Sequence, residues 1–427
     1  MGRKATGLLL LAAVAMAAAC KGQRESAPAR PKTAAPARSY APSATPSASA
    51  PPSAAPASSA AAPSDAPVGA PIAAFEPAKA KACKAASVDV AQYQQRGELA
   101  IAGSKDRIAA SWLVQLTGKK QQQVAFGTFD PDAKLVGRPR GVGLSEHAAP
   151  RLFSVGGEWT VTWFDERGFA YARPKEDPLP APEIQHLTAI GPGEDDEVGI
   201  NVVGDEGLVA AVVLASHRDQ VSLFRFASGD AAGVRALGVT HHAKTPHHPA
   251  VAADAAGVTV AWFEAGQRIL GSHFDAAGKE APAVCTIAPG AKGERSALTL
   301  TATSAGSVAV WLDGGALRAR GVDARGCPTS PIHEVGNGTW PRAVALTGGV
   351  LVAWVTPEGK LVAARLDAKG RPGEKGILVA DAPGGVKDPP AAGFGGGRAA
   401  FAWTEAMSPT VATRRMVLRT VDPACIP

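Results

Sequence analysis

An all-β fold, a seven-bladed β-propeller of four-stranded blades, is what three features of this 427-residue sequence predict. A short run of small and β-branched residues ending in tryptophan returns at intervals of 43 to 51 residues. Several copies carry a glycine five residues before the Trp position, and several units also carry an apolar-Asp-x-x-Gly turn. The span from about residue 82 to residue 427 then divides into seven units of about 49 residues. Each unit is long enough for four short strands and too short for an independent core, so the units must stack.

The repeated run reads RIAASW at Trp112, WTVTW at Trp163, VTVAW at Trp262, SVAVW at Trp311, LVAW at Trp354 and AAFAW at Trp403. A degenerate copy, LVAAV, ends at Val212, where the spacing demands one. Alternation places Val258, Val260 and Trp262 on one face and the smaller Thr259 and Ala261 on the other. The tryptophans are therefore expected to fill the space between neighbouring sheets.

In chain order, the N-terminus comes first. Arg3 and Lys4 precede a 12-residue apolar stretch, Leu8 to Ala19, too short to span a bilayer. Ala17, Ala18 and Ala19 lead directly into Cys20. This segment resembles a bacterial lipoprotein signal, whose small-residue cleavage box stands immediately before a cysteine. It departs from that pattern at Ala17, where a larger apolar residue is usual. The resemblance implies a signal peptide over residues 1–19 and a lipid anchor on Cys20. With Lys21 rather than Asp next, it also implies an outer-membrane destination for a head exported to the cell envelope. An ordinary secretory signal cut after Ala19 is the alternative.

Residues 20–81 are dominated by Ala, Pro and Ser, with twelve prolines between residues 21 and 80. Such a segment buries too little apolar surface to offset its ordering entropy and is expected to be a disordered tether. Its reach lies between roughly 45 Å as a coil and roughly 190 Å extended. The formal charge of +6 belongs to the signal and this tether, leaving residues 82–427 neutral. A neutral head carries no electrostatic footprint for nucleic acid. It is expected to be a monomer.

Within each unit the innermost strand follows a loop often ending in proline, as at Pro150, Pro249 and Pro341. The Trp strand is second, entered through Gly207, Gly257, Gly306 or Gly349, where a hairpin turn needs positive φ. The third strand ends in TFDPDA, HFDAAG, GVDARG or RLDAKG, and a weaker fourth follows. In such turns the Asp carboxylate bonds nearby amides.

The last unit runs out after its third strand, whereas Ser87-Val-Asp-Val near the start has no unit of its own. The N-terminal strand is expected to complete the last blade. Cys83 and Cys425 flank these two ends, and an exported chain favours disulfides. A Cys83–Cys425 bond would lock the ring, contributing on the order of 4–5 kcal/mol. Cys285 and Cys327 are the expected second pair.

No phosphate loop, nucleophile elbow, His-Glu-x-x-His or Cys-x-x-Cys is present. The candidate ligand face is the one carrying loops into the innermost strands and out of the second strands. Asp165, Glu264, Asp313 and Glu405 stand two residues after their tryptophans, with Gln115 near that place in another unit. Such a ring could focus negative potential on the central funnel. Before the third unit stand Asp195, Asp196 and Glu197, and before the fourth His241, His242, His247 and His248. Histidines beside carboxylates could hold a divalent metal. Trp340 is a candidate exposed aromatic for stacking on a sugar, with packing on the adjacent loop as the alternative.

Two functions fit this sequence: a lipid-anchored binding or scaffold module for a protein or glycan partner, and a secreted enzyme acting on glycans as hydrolase or lyase. The absence of a catalytic motif and the short turns favour the first.

Overall fold

The computed structural model describes residues 65–77, 83–93, 99–115, 121–145, 150–155, 157–175, 181–186, 197–202, 209–216, 220–227, 235–240, 247–254, 257–264, 267–275, 279–281, 284–382, 385–408 and 411–427. All of these fall within the compact unit Ala60–Pro427. Cys20 and most of the tether lie outside the described residues.

Two strands, β1 (Phe75–Pro77) and β2 (Ala86–Tyr93), precede the first blade. That blade comprises β3 (Leu99–Gly103), β4 (Ile108–Gln115), β5 (Gln122–Phe129) and β6 (Leu135–Ser145). The second comprises β7 (Arg151–Val155), β8 (Glu158–Asp165), β9 (Gly168–Ala172) and β10 (Ile184–His186). The third, described by its backbone alone, comprises β11 (Glu197–Val202), β12 (Val209–Ser216), β13 (Gln220–Ala227) and β14 (Arg235–Thr240).

The fourth contains β15 (His247–Asp254), β16 (Gly257–Glu264), β17 (Arg268–Asp275) and β18 (Cys285–Ala288). The fifth contains β19 (Arg295–Thr303), β20 (Gly306–Asp313), β21 (Ala316–Val322) and β22 (His333–Asn337). The sixth contains β23 (Thr339–Leu346), β24 (Gly349–Val355), β25 (Leu361–Asp367) and β26 (Gly376–Ala380). The last contains β27 (Ala391–Gly395), β28 (Arg398–Ser408) and β29 (Val411–Val421).

The innermost strands β3, β7, β11, β15, β19, β23 and β27 are successive neighbours, and β27 returns to β3, so the disc is closed. β2 pairs antiparallel with β29 and supplies the missing outer strand of the last blade. The Cys83–Cys425 disulfide bonds the two ends beside this pairing, and the Asp422 N–H donates to the Cys83 carbonyl at 2.9 Å. The second disulfide, Cys285–Cys327, ties β18 to the turn after β21.

Packing follows the expected alternation. Trp163, Trp262, Trp311 and Trp354 are fully buried. Trp311 shares its core with Phe263, Ile269 and Ile287 of the preceding blade, and Trp354 with Val308, Val310 and Leu317 of its own predecessor. Ala261 and Phe263 face one neighbour while Val258, Val260 and Trp262 belong to another cluster. The buried indole nitrogens of Trp163, Trp262, Trp311 and Trp403 have no hydrogen-bond partner, so these rings serve as volume.

The Asp turns behave as their chemistry requires. Oδ1 of Asp130, Asp323 and Asp367 each accepts from the backbone N–H groups two and four residues on. The third residue after the Asp has positive φ, 86° at Gly326 and 79° at Gly370, which favours glycine.

The glycine before the Trp strand is explained differently from the turn argument. Gly257 and Gly306 do have positive φ, but in the sixth blade it is Gly348, not Gly349, that does. What the three share is crowding: a Cβ on Gly257, Gly306 or Gly349 would lie 2.1, 2.2 or 2.1 Å from the carbonyl oxygen of Phe274, Val322 or Leu366.

The tether reading needs correction near its end. Residues 65–77 run along the outer edges of the fifth and sixth blades. The Val68 N–H donates to the Ile332 carbonyl at 2.8 Å, and the Ile72 N–H to that of Val335 at 2.9 Å. β1 then adds to β26 as a parallel fifth strand. Composition hid this because Ala, Pro and Ser dominate the segment while only a few apolar residues do the docking. Ile72 is buried in the core of these two blades, and Phe75 packs beside it. The strap also covers two outer strands whose edges would otherwise be open.

Candidate functional site

The innermost strands begin, and the second strands end, on one face of the disc, so the predicted ligand face exists as a place. What the fold does with the acidic residues there differs from a negatively charged ring. Each carboxylate is engaged by a side chain of its own blade, three of them by an arginine. Glu264, buried, pairs with Arg268 directly across β16 and β17. Glu405, also buried, pairs with Arg415 at 2.7 Å across β28 and β29. Asp313 meets Arg295 at 3.2 Å across β19 and β20.

Asp165 lies 2.9 Å from His186 Nε2 on β10, and its other oxygen accepts the Arg167 N–H at 2.8 Å. Gln115, at the end of β4, accepts from Gln122 at 3.2 Å. The reason is register. A side chain at the end of the second strand faces the first or third strand of the same sheet, where these chains place arginine.

A further buried carboxylate on this face was not singled out by motif. Asp388 precedes β27 and accepts from Arg414 and from the Thr404 hydroxyl. Its only sequence signal is an Asp just before the Pro-led innermost strand.

The histidine and acidic loops fall mostly outside the described residues, including His241, His242, Asp195 and Asp196. Glu197 opens β11, whose side chains are not described, and His247 opens the adjacent β15. His247 and His248 pack on the Phe263 ring, with centroids 5.4 and 5.8 Å away, and on each other at 5.5 Å. Among the described residues, no group of three or more His, Cys, Asp or Glu is placed to hold a metal.

Trp340 is half-buried and packs against the core shared by the last two blades. Its backbone carries a feature the sequence does not announce, a φ of 54°. His248 and Ala297 have φ of 47° and 54°, and all three stand fourteen residues before their blade's tryptophan. Each coincides with a break in the pairing of the innermost strand, His247 to Ala250, Ser296 to Thr299 and Thr339 to Arg342. Three consecutive blades thus share a left-handed bulge near the channel mouth, at a cost of about 1 kcal/mol per residue.

The innermost strands enclose a central channel cavity of about 390 Å³. Its described lining is apolar and hydroxylic apart from Arg151 and Arg342, and none of the ring carboxylates, His247, His248 or Trp340 belongs to it. Among the described residues, the funnel expected to be acidic therefore carries two arginines and no carboxylate in an otherwise apolar and hydroxylic lining. The signal was available in the sequence as a shared offset, since Arg151 and Arg342 each stand twelve residues before a tryptophan.

No protein-family model matches this chain, and no curated protein does. Among solved structures, a protein from Lactobacillus plantarum is 14% identical over 65% of this chain and 85% of its own, with a TM-score of 0.46. The SapL1 lectin, in complex with alpha methyl fucoside, is 11% identical over 67% of this chain and 99% of its own, at 0.42. AofleA from Arthrobotrys oligospora is 10% identical over 74% and 96%, at 0.44. These are distant likenesses.

Proposed function

We propose that this chain is a lipid-anchored binding or scaffold module of the cell envelope, held through Cys20, whose loop face takes a protein or glycan partner. The observation that carries this reading over a glycan hydrolase or lyase is the pairing of Asp165, Glu264, Asp313 and Glu405 within their own blades. A glycosidase needs two carboxyl groups offered to one scissile bond. Here those oxygens are occupied by Arg268, Arg295, Arg415 and His186. What the loop face presents is a mixed surface with half-buried Trp340 and exposed His248.

The strap reaches the head on the side away from the loop face. Val68 pairs with His333 at the start of β22, near the face of the Asp turns, which is opposite the loop face.

The test probes the full-length chain with a glycan panel and with envelope proteins by cross-linking mass spectrometry. The expected contacts map to the loop face, and His248→Ala with Trp340→Ala weakens them. Cross-links confined to the Asp-turn face, or multiple-turnover cleavage of a glycan, would overturn the reading. Loss of membrane fractionation in Cys20→Ser tests the anchor separately.

A further inference from the structure

We propose that residues 65–77 form an acid-sensitive latch: protonation of His333 detaches this strap from the fifth and sixth blades while the disc stays closed. The latch belongs to the outer rim and stands whichever partner the loop face takes.

His333 opens β22, where the strap pairs with the head through Val68. The Val68 N–H donates to the Ile332 carbonyl at 2.8 Å, and the Val68 carbonyl accepts from the Glu334 N–H at 3.3 Å. Residues paired in this way carry their side chains on the same face of a sheet. Val68 therefore stands beside the His333 side chain, in a residue that is 8% exposed. Further along, the Ile72 N–H donates to the Val335 carbonyl, and both of these side chains are buried in one core.

A charge on this ring would be poorly accommodated. The charged groups acting on it come from the sixth blade, Asp367 at the end of β25 and Arg371 in the turn that follows. Asp367 is already engaged: Oδ1 accepts the Lys369 and Arg371 N–H groups, and Oδ2 lies 3.3 Å from the Arg371 guanidinium. On either side of His333, Glu334 pairs with Arg318 and the strap's Asp65 with Arg320. Among the described residues, no hydrogen bond or ion pair joins the His333 ring to a neighbour. Burial therefore disfavours the imidazolium more than Asp367 favours it.

The strap is the element that yields at least cost. Of residues 65–77, only Ile72 is buried. A segment held by one buried side chain and a few backbone bonds opens at lower free energy than the strands of a closed sheet. Arg320 keeps the carbonyls of Ile287 and Ser330 as partners when Asp65 leaves. Above about pH 6.5 the ring is neutral in both forms and the latch is closed. Below it, the open form takes up a proton that the closed form resists, so the open fraction rises up to about tenfold per pH unit. The released thirteen residues, 65 to 77, add at most about 45 Å of free chain ahead of the disc.

The experiment follows hydrogen exchange in the full-length chain between about pH 7.5 and 5, corrected for intrinsic exchange rates. Protection of residues 65–77 should fall up to about tenfold for each pH unit below about 6.5, while β24 keeps its protection. His333→Leu should keep the strap protected throughout. A second measurement leaves His333 in place, an NMR titration of its ring. In Ile72→Ala, which loosens the strap, His333 should titrate closer to about 6.5 than in the wild type, because the coupling is reciprocal. The latch is overturned by strap protection that does not change with pH, by the same loss in His333→Leu, by a parallel loss in β24, or by a His333 that titrates alike in both proteins.

Discussion

The ring of Phe75 meets that of Trp354 edge-on, with centroids 5.6 Å apart and planes at 72°. A residue read as part of a free tether thus touches the signature tryptophan of the sixth blade. Ile72, beside it, is 7% exposed. Ile72→Ala should lower stability by about 2–3 kcal/mol and open residues 65–77 to limited proteolysis. An unchanged denaturation midpoint and unchanged protection would return this segment to the tether.

The two disulfides should differ in effect. Cys83–Cys425 spans 342 residues and Cys285–Cys327 spans 42. Loop-closure entropy grows with the logarithm of loop length, so the larger loop constrains the unfolded chain more, by about 2 kcal/mol. Replacing Cys83 and Cys425 by Ala should therefore cost more stability than replacing Cys285 and Cys327. Chemical denaturation of the two double variants compares them directly, and equal losses would point to strain or residual structure in the unfolded chain.

The buried carboxylates should behave as structural groups. Glu405→Gln removes the charge facing Arg415, and Asp388→Asn removes the one held by Arg414 and Thr404. Each should cost about 1–3 kcal/mol, because the arginine keeps part of its burial without its partner. Thermal unfolding checks this. A stable protein after both substitutions would reopen an acid or base role for Glu405.

Stability should fall with acidification through His333. Burial pushes its pKa below the ordinary histidine value, against the opposing pull of Asp367 and with a smaller push from Arg371. The unfolded chain titrates near 6.5. Below that pH the unfolded state takes up a proton that the folded state resists, so stability is full above about 6.5 and declines as pH drops toward the folded value. His333→Leu should flatten this decline. Melting curves at several pH values between about 7.5 and 5 compare the two, and parallel curves would exclude His333 as the source.

The sequence by itself determined the all-β repeat, the place of every Trp strand, the Asp turns, the completion of the last blade by residues near Val88 and both cysteine pairs. These rest on short-range chemistry: alternation along one strand, an Asp carboxylate bonding amides two and four residues on, and ends that must meet once the repeats are counted. The strap, the neutralisation of Glu264 and Glu405, and the left-handed bulges at His248, Ala297 and Trp340 were decided only by the tertiary structure. Arg268 and Arg415 neutralise those carboxylates because strand register sets them opposite, and Arg151 and Arg342 line one cavity only because the ring closes. Ile72 and Phe75 look like minor residues in an Ala/Pro/Ser segment until blades hundreds of residues away offer them an edge and a core.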